Sequence, residues 1–191
     1  MNKTVLSTIV GTALLGLAKS KSGGRNSYKP RNIEDIYKLS AQEKSQITRL
    51  DLSIMGLTQI PDDIFDGFAN LERIDLNNNQ LTELPQSIGN LTNLKWLTLS
   101  SNQLTELPQS IGNLTNLEIL LLSINKLTEP PNYIANLTNL KRLDLHRNPW
   151  EKPLDPKILF KMIQNRVSRN VIQEMILMNK SIKTKSNLRI R

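Results

Sequence analysis

The fourteen residues LTELPQSIGNLTNL stand at positions 81–94 and again, letter for letter, at 104–117. A catalytic site is built once, so verbatim duplication at a spacing of 23 points to a unit that stacks on its own copy. The pattern extends beyond the duplicated stretch. Leu71, Leu94, Leu117 and Leu140 fall 23 apart and open LERIDLNNNQL, LKWLTLSSNQL, LEILLLSINKL and LKRLDLHRNPW. A looser copy, ITRLDLSIMGL, starts at Ile47 after a 24-residue step.

Each unit can be read physically. The central LxL triplet alternates, as a short strand does when one face is buried. Asn79, Asn102, Asn125 and Asn148 follow where the chain turns, and a buried amide there can bond its own turn and its neighbour, forming a ladder. Pro85, Pro108 and Pro131 stop a second strand from forming. Ile88/Leu91, Ile111/Leu114 and Ile134/Leu137 then suit a single helical or 3₁₀ turn. Met55 occupies the asparagine slot of the first unit, so the ladder is expected to end there. NPWEKPLDP abandons the pattern after Asn148.

This pattern resembles the leucine-rich repeat family, in the 23-residue LPxxIxxLxxL type found in Ras-group and many bacterial repeat proteins, over about residues 47–150. The resemblance implies an α/β fold: a right-handed solenoid with a parallel concave β-sheet and short 3₁₀ or helical convex turns. Such an array exposes apolar surface at both ends unless capped. At the front, SAQE (Ser40 to Glu43) is a capping-box pattern beside Ile33, Ile36, Tyr37 and Leu39, giving an N-terminal cap over 31–46. At the back, Asp155 before Pro156 opens a capping helix over 151–178, with Ile158, Leu159, Met162, Ile163, Val167, Val171, Ile172, Met175 and Ile176 near a helical period. Residues 179–191 read as a disordered basic tail.

Residues 1–30 read as a leader and linker, dispensable for folding. The mostly apolar run from Val5 to Ala18 is short for a membrane span and suits a signal-peptide core; an uncleaved anchor or another leader stays open. The net charge of +8 divides unevenly: residues 1–46 carry +5, residues 47–150 carry −4 and residues 151–191 carry +7. A nucleic-acid surface would place its positive charge on the folded body. No nucleic-acid partner is expected, therefore, whereas membrane contact through residues 4–18 or the basic tail stays open.

The chain has no cysteine, which removes disulfides, thiolate zinc sites and cysteine nucleophiles together. With one histidine and no dense acidic cluster, no metal site is expected, and no cofactor motif is present. His146, Asp144 and Ser123 form a hydrolase triad on paper, but nothing supplies an activated turn or an oxyanion hole. The chain is read as non-enzymatic. Asn90, Asn113 and Asn136 begin NLT and Asn179 begins NKS; the first three follow from the repeat itself.

Function is therefore sought where the copies differ. The third slot of each unit reads Arg49, Arg73, Trp96, Ile119, Arg142, and the fifth reads Asp51, Asp75, Thr98, Leu121, Asp144. Strand alternation points both away from the core. Arginine and aspartate are expected to pair in units one, two and five, while units three and four gather Trp96, Ile119 and Leu121, with Ile124 close behind. An exposed apolar cluster rimmed by charge marks an interaction site. The expected function is a monomeric protein-interaction module binding a protein on its concave face. An exported or anchored surface protein, structural or adhesive, and an intracellular signalling scaffold of the Ras-group kind stay open as alternatives, and location with them.

Overall fold

The computed structural model describes residues 26–188; the leader read over residues 1–20 lies outside them. Six strands form one parallel sheet in sequence order: β1 (Ser27–Tyr28), β2 (Arg49–Asp51), β3 (Arg73–Asp75), β4 (Trp96–Thr98), β5 (Ile119–Leu121) and β6 (Arg142–Asp144). Register advances by one repeat per strand, so Leu50, Ile74, Leu97, Leu120 and Leu143 stack beneath one another. All five are buried, in a core that runs the length of the sheet. Opposite the strands lie 3₁₀ turns at Asp62–Phe65, Gln86–Asn90, Gln109–Asn113 and Asn132–Asn136, each entered from an extended proline. Every proline lacks the N–H a further strand would need. The result is a solenoid.

The asparagine ladder joins each unit to the one before. Asn102 accepts from the Leu81 N–H at 3.1 Å and donates to the carbonyls of Leu76 and Leu99 at 2.9 and 3.0 Å. Asn125 accepts from Leu104 and donates to Leu99 and Leu122; Asn148 accepts from Leu127 and donates to Leu122 and Leu145. The carbonyls of Leu76, Leu99 and Leu122 are thus each held by two amides. Asn79 closes the ladder, accepting from Met55 and Leu57 N–H at 3.0 Å each. A second ladder runs along another corner, where Asn70, Asn93, Asn116 and Asn139 donate to the carbonyls of Ser45, Ala69, Thr92 and Thr115. The residue before each ladder slot (Ile54, Asn78, Ser101, Ile124 and Arg147) turns the chain with a left-handed φ of 55–59°. The 24-residue first step is absorbed near Gly67, whose φ of +86° suits glycine.

Both ends differ from the expectations drawn from sequence. At the front, α1 (Glu34–Tyr37) and α2 (Ala41–Gln46) follow β1, and Ser40 and Glu43 form the reciprocal capping box. The linker reading stops short of Ser27, however. Ser27 and Tyr28 pair with Arg49 and Leu50, and the Tyr28 ring is buried. On α1 of this cap, hydrogen bonds from Lys38 first and Arg31 second hold the pKa of the Asp35 carboxyl down to about 2.

At the back, one expected helix is two: α3 (Pro156–Gln164) and α4 (Arg169–Leu188). Asp155 caps α3 by accepting from the Lys157 N–H at 2.8 Å. The break is a Schellman motif: Val167 N–H reaches the Met162 carbonyl, Arg166 N–H reaches that of Ile163, and Arg166 is left-handed at φ 57°. Met162 points inward, which leaves Ile163, one step round the helix, 58% exposed rather than on the buried face. Residues 179–188 are helical rather than a disordered tail, because the buried stripe of Val171, Met175 and Met178 continues to Ile182.

Candidate interaction site

Strands β2–β6 carry the two variable slots on the open face of the sheet, in register: Arg49, Arg73, Trp96, Ile119, Arg142, and beside them Asp51, Asp75, Thr98, Leu121, Asp144. Trp96 is 39% exposed, and the Arg73 guanidinium carbon lies 4.7 Å from the centre of its ring, a cation–π contact. Ile119 and Leu121 are half-buried on β5. Ile124 follows at the turn, 44% exposed. These four apolar side chains lie on two neighbouring strands and the turn after the second, with Arg73 on one side and Arg142 and Asp144 on the other.

Two expectations need correction. Thr98 is buried, at 4% exposure. It is a short side chain in register between Asp75 and Leu121, and such longer neighbours cover it. The arginine–aspartate pairs within a strand are not formed among the described residues, because side chains two apart stand roughly 6.5–7 Å from each other. Asp51 instead binds Lys29 at 2.8 Å, Asp75 accepts from the Asn77 N–H at 3.0 Å, and Arg73 stacks on Trp96.

Asp144 turns to His146, whose Nδ1 lies 3.0 Å from Asp144 Oδ1 and 3.3 Å from Glu174 Oε1. Burial pushes the Asp144 carboxyl up, but hydrogen bonds from the His146 N–H, its ring and Ser123 outweigh this and hold it below its ordinary value. Glu174, on α4, also accepts from the Leu145 N–H at 3.3 Å and so covers the free edge after β6. Sequence reasoning missed Glu174; its signal is that it is the lone acid between Pro156 and Arg191. Asp144, His146 and Glu174 are three metal-ligating side chains brought together, yet their donors are engaged in docking α4 to the last unit.

The paper triad does not assemble. The Ser123 hydroxyl meets Ser100 Oγ at 3.0 Å and the Asp144 carboxylate, while His146 Nδ1 faces the two carboxylates. The side chains of the open face therefore offer contact surface: an aromatic ring, two aliphatic chains and fixed charges around them.

The comparisons with known proteins agree with this geometry. A family model described as a leucine-rich repeat region matches residues 45–165. The chain belongs to the leucine-rich repeat family. A search of curated proteins finds no match. Among solved structures, a leucine-rich repeat protein of Leptospira interrogans is similar, with 29% identity and a TM-score of 0.57 over 80% of this chain. The chain spans 43% of that protein's length. Membership of this repeat family suggests a protein-interaction module.

Proposed function

We propose that the chain is a non-enzymatic binding module whose protein partner docks on the open face of the sheet, centred on units three and four. The observation that carries the reading is Trp96, an exposed ring held in place by Arg73 and continued by Ile119, Leu121 and Ile124 on the next strand and turn. Tryptophan and arginine are enriched among residues that dominate binding energy, and a rigid apolar centre with a polar rim excludes water from them. Arg73, Asp75, Arg142 and Asp144 form that rim and set orientation. Arg142 is exposed, and no ion pair holds it among the described residues. Thr98 contributes shape beneath the patch and not a contact.

The test begins with a photo-crosslinking residue at Ile119 to capture the partner in the cells that make the chain. Affinity is then measured for the wild type and for Trp96→Ala with Leu121→Ser. The double variant should keep its melting curve and lose about 2 kcal/mol or more of binding free energy. Full retention of affinity would move the site off this face.

A further inference from the structure

The C-terminal helices have two sides, and the fold uses only the inner one. Met162, Val167, Val171, Met175, Met178 and Ile182 are buried against the repeats and each other. On the outer side of α3, Phe160 is 62% exposed and Ile163 58%. Three residues apart on a helix, they are neighbours, and exposed Pro156 extends the stripe one turn back. Lys157 and Lys161, also exposed, run alongside the stripe, and Arg166 and Arg169 follow at its end. None of these four cations has an acidic partner among the described residues. Of the three acids of this region, Asp155 accepts from the Lys157 N–H, Glu174 faces His146, and exposed Glu151 lies before α3 and forms no ion pair among the described residues. Ten basic against three acidic residues leave 151–191 at +7.

A second copy of this chain would bring like charge against like charge on such a face. An anionic bilayer surface fits both halves of it, since cations sit at the headgroups while aromatic and aliphatic side chains enter the acyl boundary. We propose that the outer face of α3 docks peripherally on anionic membranes, with Phe160 and Ile163 inserted and Lys157, Lys161, Arg166 and Arg169 at headgroup level. Among the described residues no helix is long and apolar enough to cross a membrane, so the docking is along the surface. It leaves the open face of the sheet for its own partner and does not depend on that reading.

The absence of cysteine allows a single environment-sensitive label on the full chain. Gln164→Cys puts it beside Ile163, and Thr115→Cys puts a control on the body of the array. Vesicles of phosphatidylcholine with phosphatidylglycerol should brighten the label at 164 several-fold, less so at raised salt, and leave the label at 115 unchanged. Phosphatidylcholine alone should do neither. Adding Phe160→Ser and Ile163→Ser to the labelled chain should weaken vesicle affinity at least ~tenfold, with the melting temperature preserved because both side chains point outward. Because the label reports locally, vesicle binding by residues 1–25 does not mimic the result. The proposal is overturned by a silent label at 164, by an equal response to neutral vesicles, or by indifference to the double substitution. A protein-concentration-dependent response without vesicles, lost in the double variant, would assign the face to a second copy instead.

Discussion

Gly89 and Gly112 occupy the same position in the two identical stretches, yet they should respond differently to an added methyl group. The reason is what stacks on them. The turn at Gln86–Asn90 packs against Gln109–Asn113, and a Cβ at Gly89 would stand 2.5 Å from both the Ser110 carbonyl oxygen and Ser110 Cβ. Backbone cannot retreat without sliding one turn off the next. At Gly112 the nearest atoms are Asn136 Nδ2 at 3.0 Å and Tyr133 Cβ at 3.1 Å, which yield by a few tenths of an ångström. Neither glycine has a positive φ, so alanine gains about 0.4–1 kcal/mol at both sites by restricting the unfolded chain. Against this, overpacking costs about 1–3 kcal/mol at Gly89 and little at Gly112. Gly89→Ala should therefore be destabilising by about 1–2 kcal/mol, and Gly112→Ala should stay within about 0.5 kcal/mol of wild type. By calorimetry the two melting temperatures should differ by roughly 2–8 °C, at 2–4 °C per kcal/mol for a chain of this size. Equal shifts would refute the argument that the stacked neighbour sets tolerance.

Asn102→Ala should cost about 2–4 kcal/mol in urea unfolding, because the Leu81 N–H is orphaned while the Leu76 and Leu99 carbonyls keep their other amide; a loss under half that would mean water replaces the rung. Ile54→Asn should raise the melting temperature by roughly 2 °C, since Ile54 is left-handed at φ 59°, is 75% exposed and buries little, and about 1 kcal/mol of strain is relieved; Ile124→Asn should gain less because Ile124 buries more. A chain beginning at Arg31 should melt below one beginning at Gly24, as it loses β1 and about 2 kcal/mol from the Tyr28 ring; coincident melts would return Ser27–Tyr28 to the linker. Asp35 has a depressed folded pKa, so its contribution is complete above the ordinary carboxylate value and fades as pH falls from about 4 to about 2. Melting temperature against pH should be flatter over that window in Asp35→Asn, and an unchanged slope would count against the Lys38 and Arg31 bonds.

What was legible in the sequence is what recurs. Every unit meets the next through residues one period away, so a single alignment exposes the strands, the buried leucines and the Asn79–Asn148 ladder together. The second ladder was equally periodic, since Asn70, Asn93, Asn116 and Asn139 recur at 23, but nothing in the letters tells a corner amide from a surface one. The ends were harder because they occur once. Two residues of β1 are too few to show alternation, and the α3–α4 break has Arg166 where a glycine would have signalled a left-handed cap. At the candidate site the slots followed from alternation, but the partners did not. Arg73 chose a ring over Asp75, Thr98 sank between longer neighbours, and Glu174 reached His146 across 28 residues.

The self-stacking of the two identical turns has a consequence for the length of the molecule. Here each copy meets the next head-to-tail, and an array of such interfaces keeps a free face at each end unless its rotation closes a ring. Inserting another 23 residues between the copies would present surfaces already complementary to both sides, and the array would grow by one strand spacing, about 4.8 Å. Nothing inside the repeats says when to stop. Size is decided at the ends, by a two-residue strand that carries a buried tyrosine in front of the first repeat and a glutamate covering the N–H beyond the last. Recombination could thus lengthen or shorten the recognition face as one adjusts a ruler, leaving the fold, its ends and their chemistry as they are.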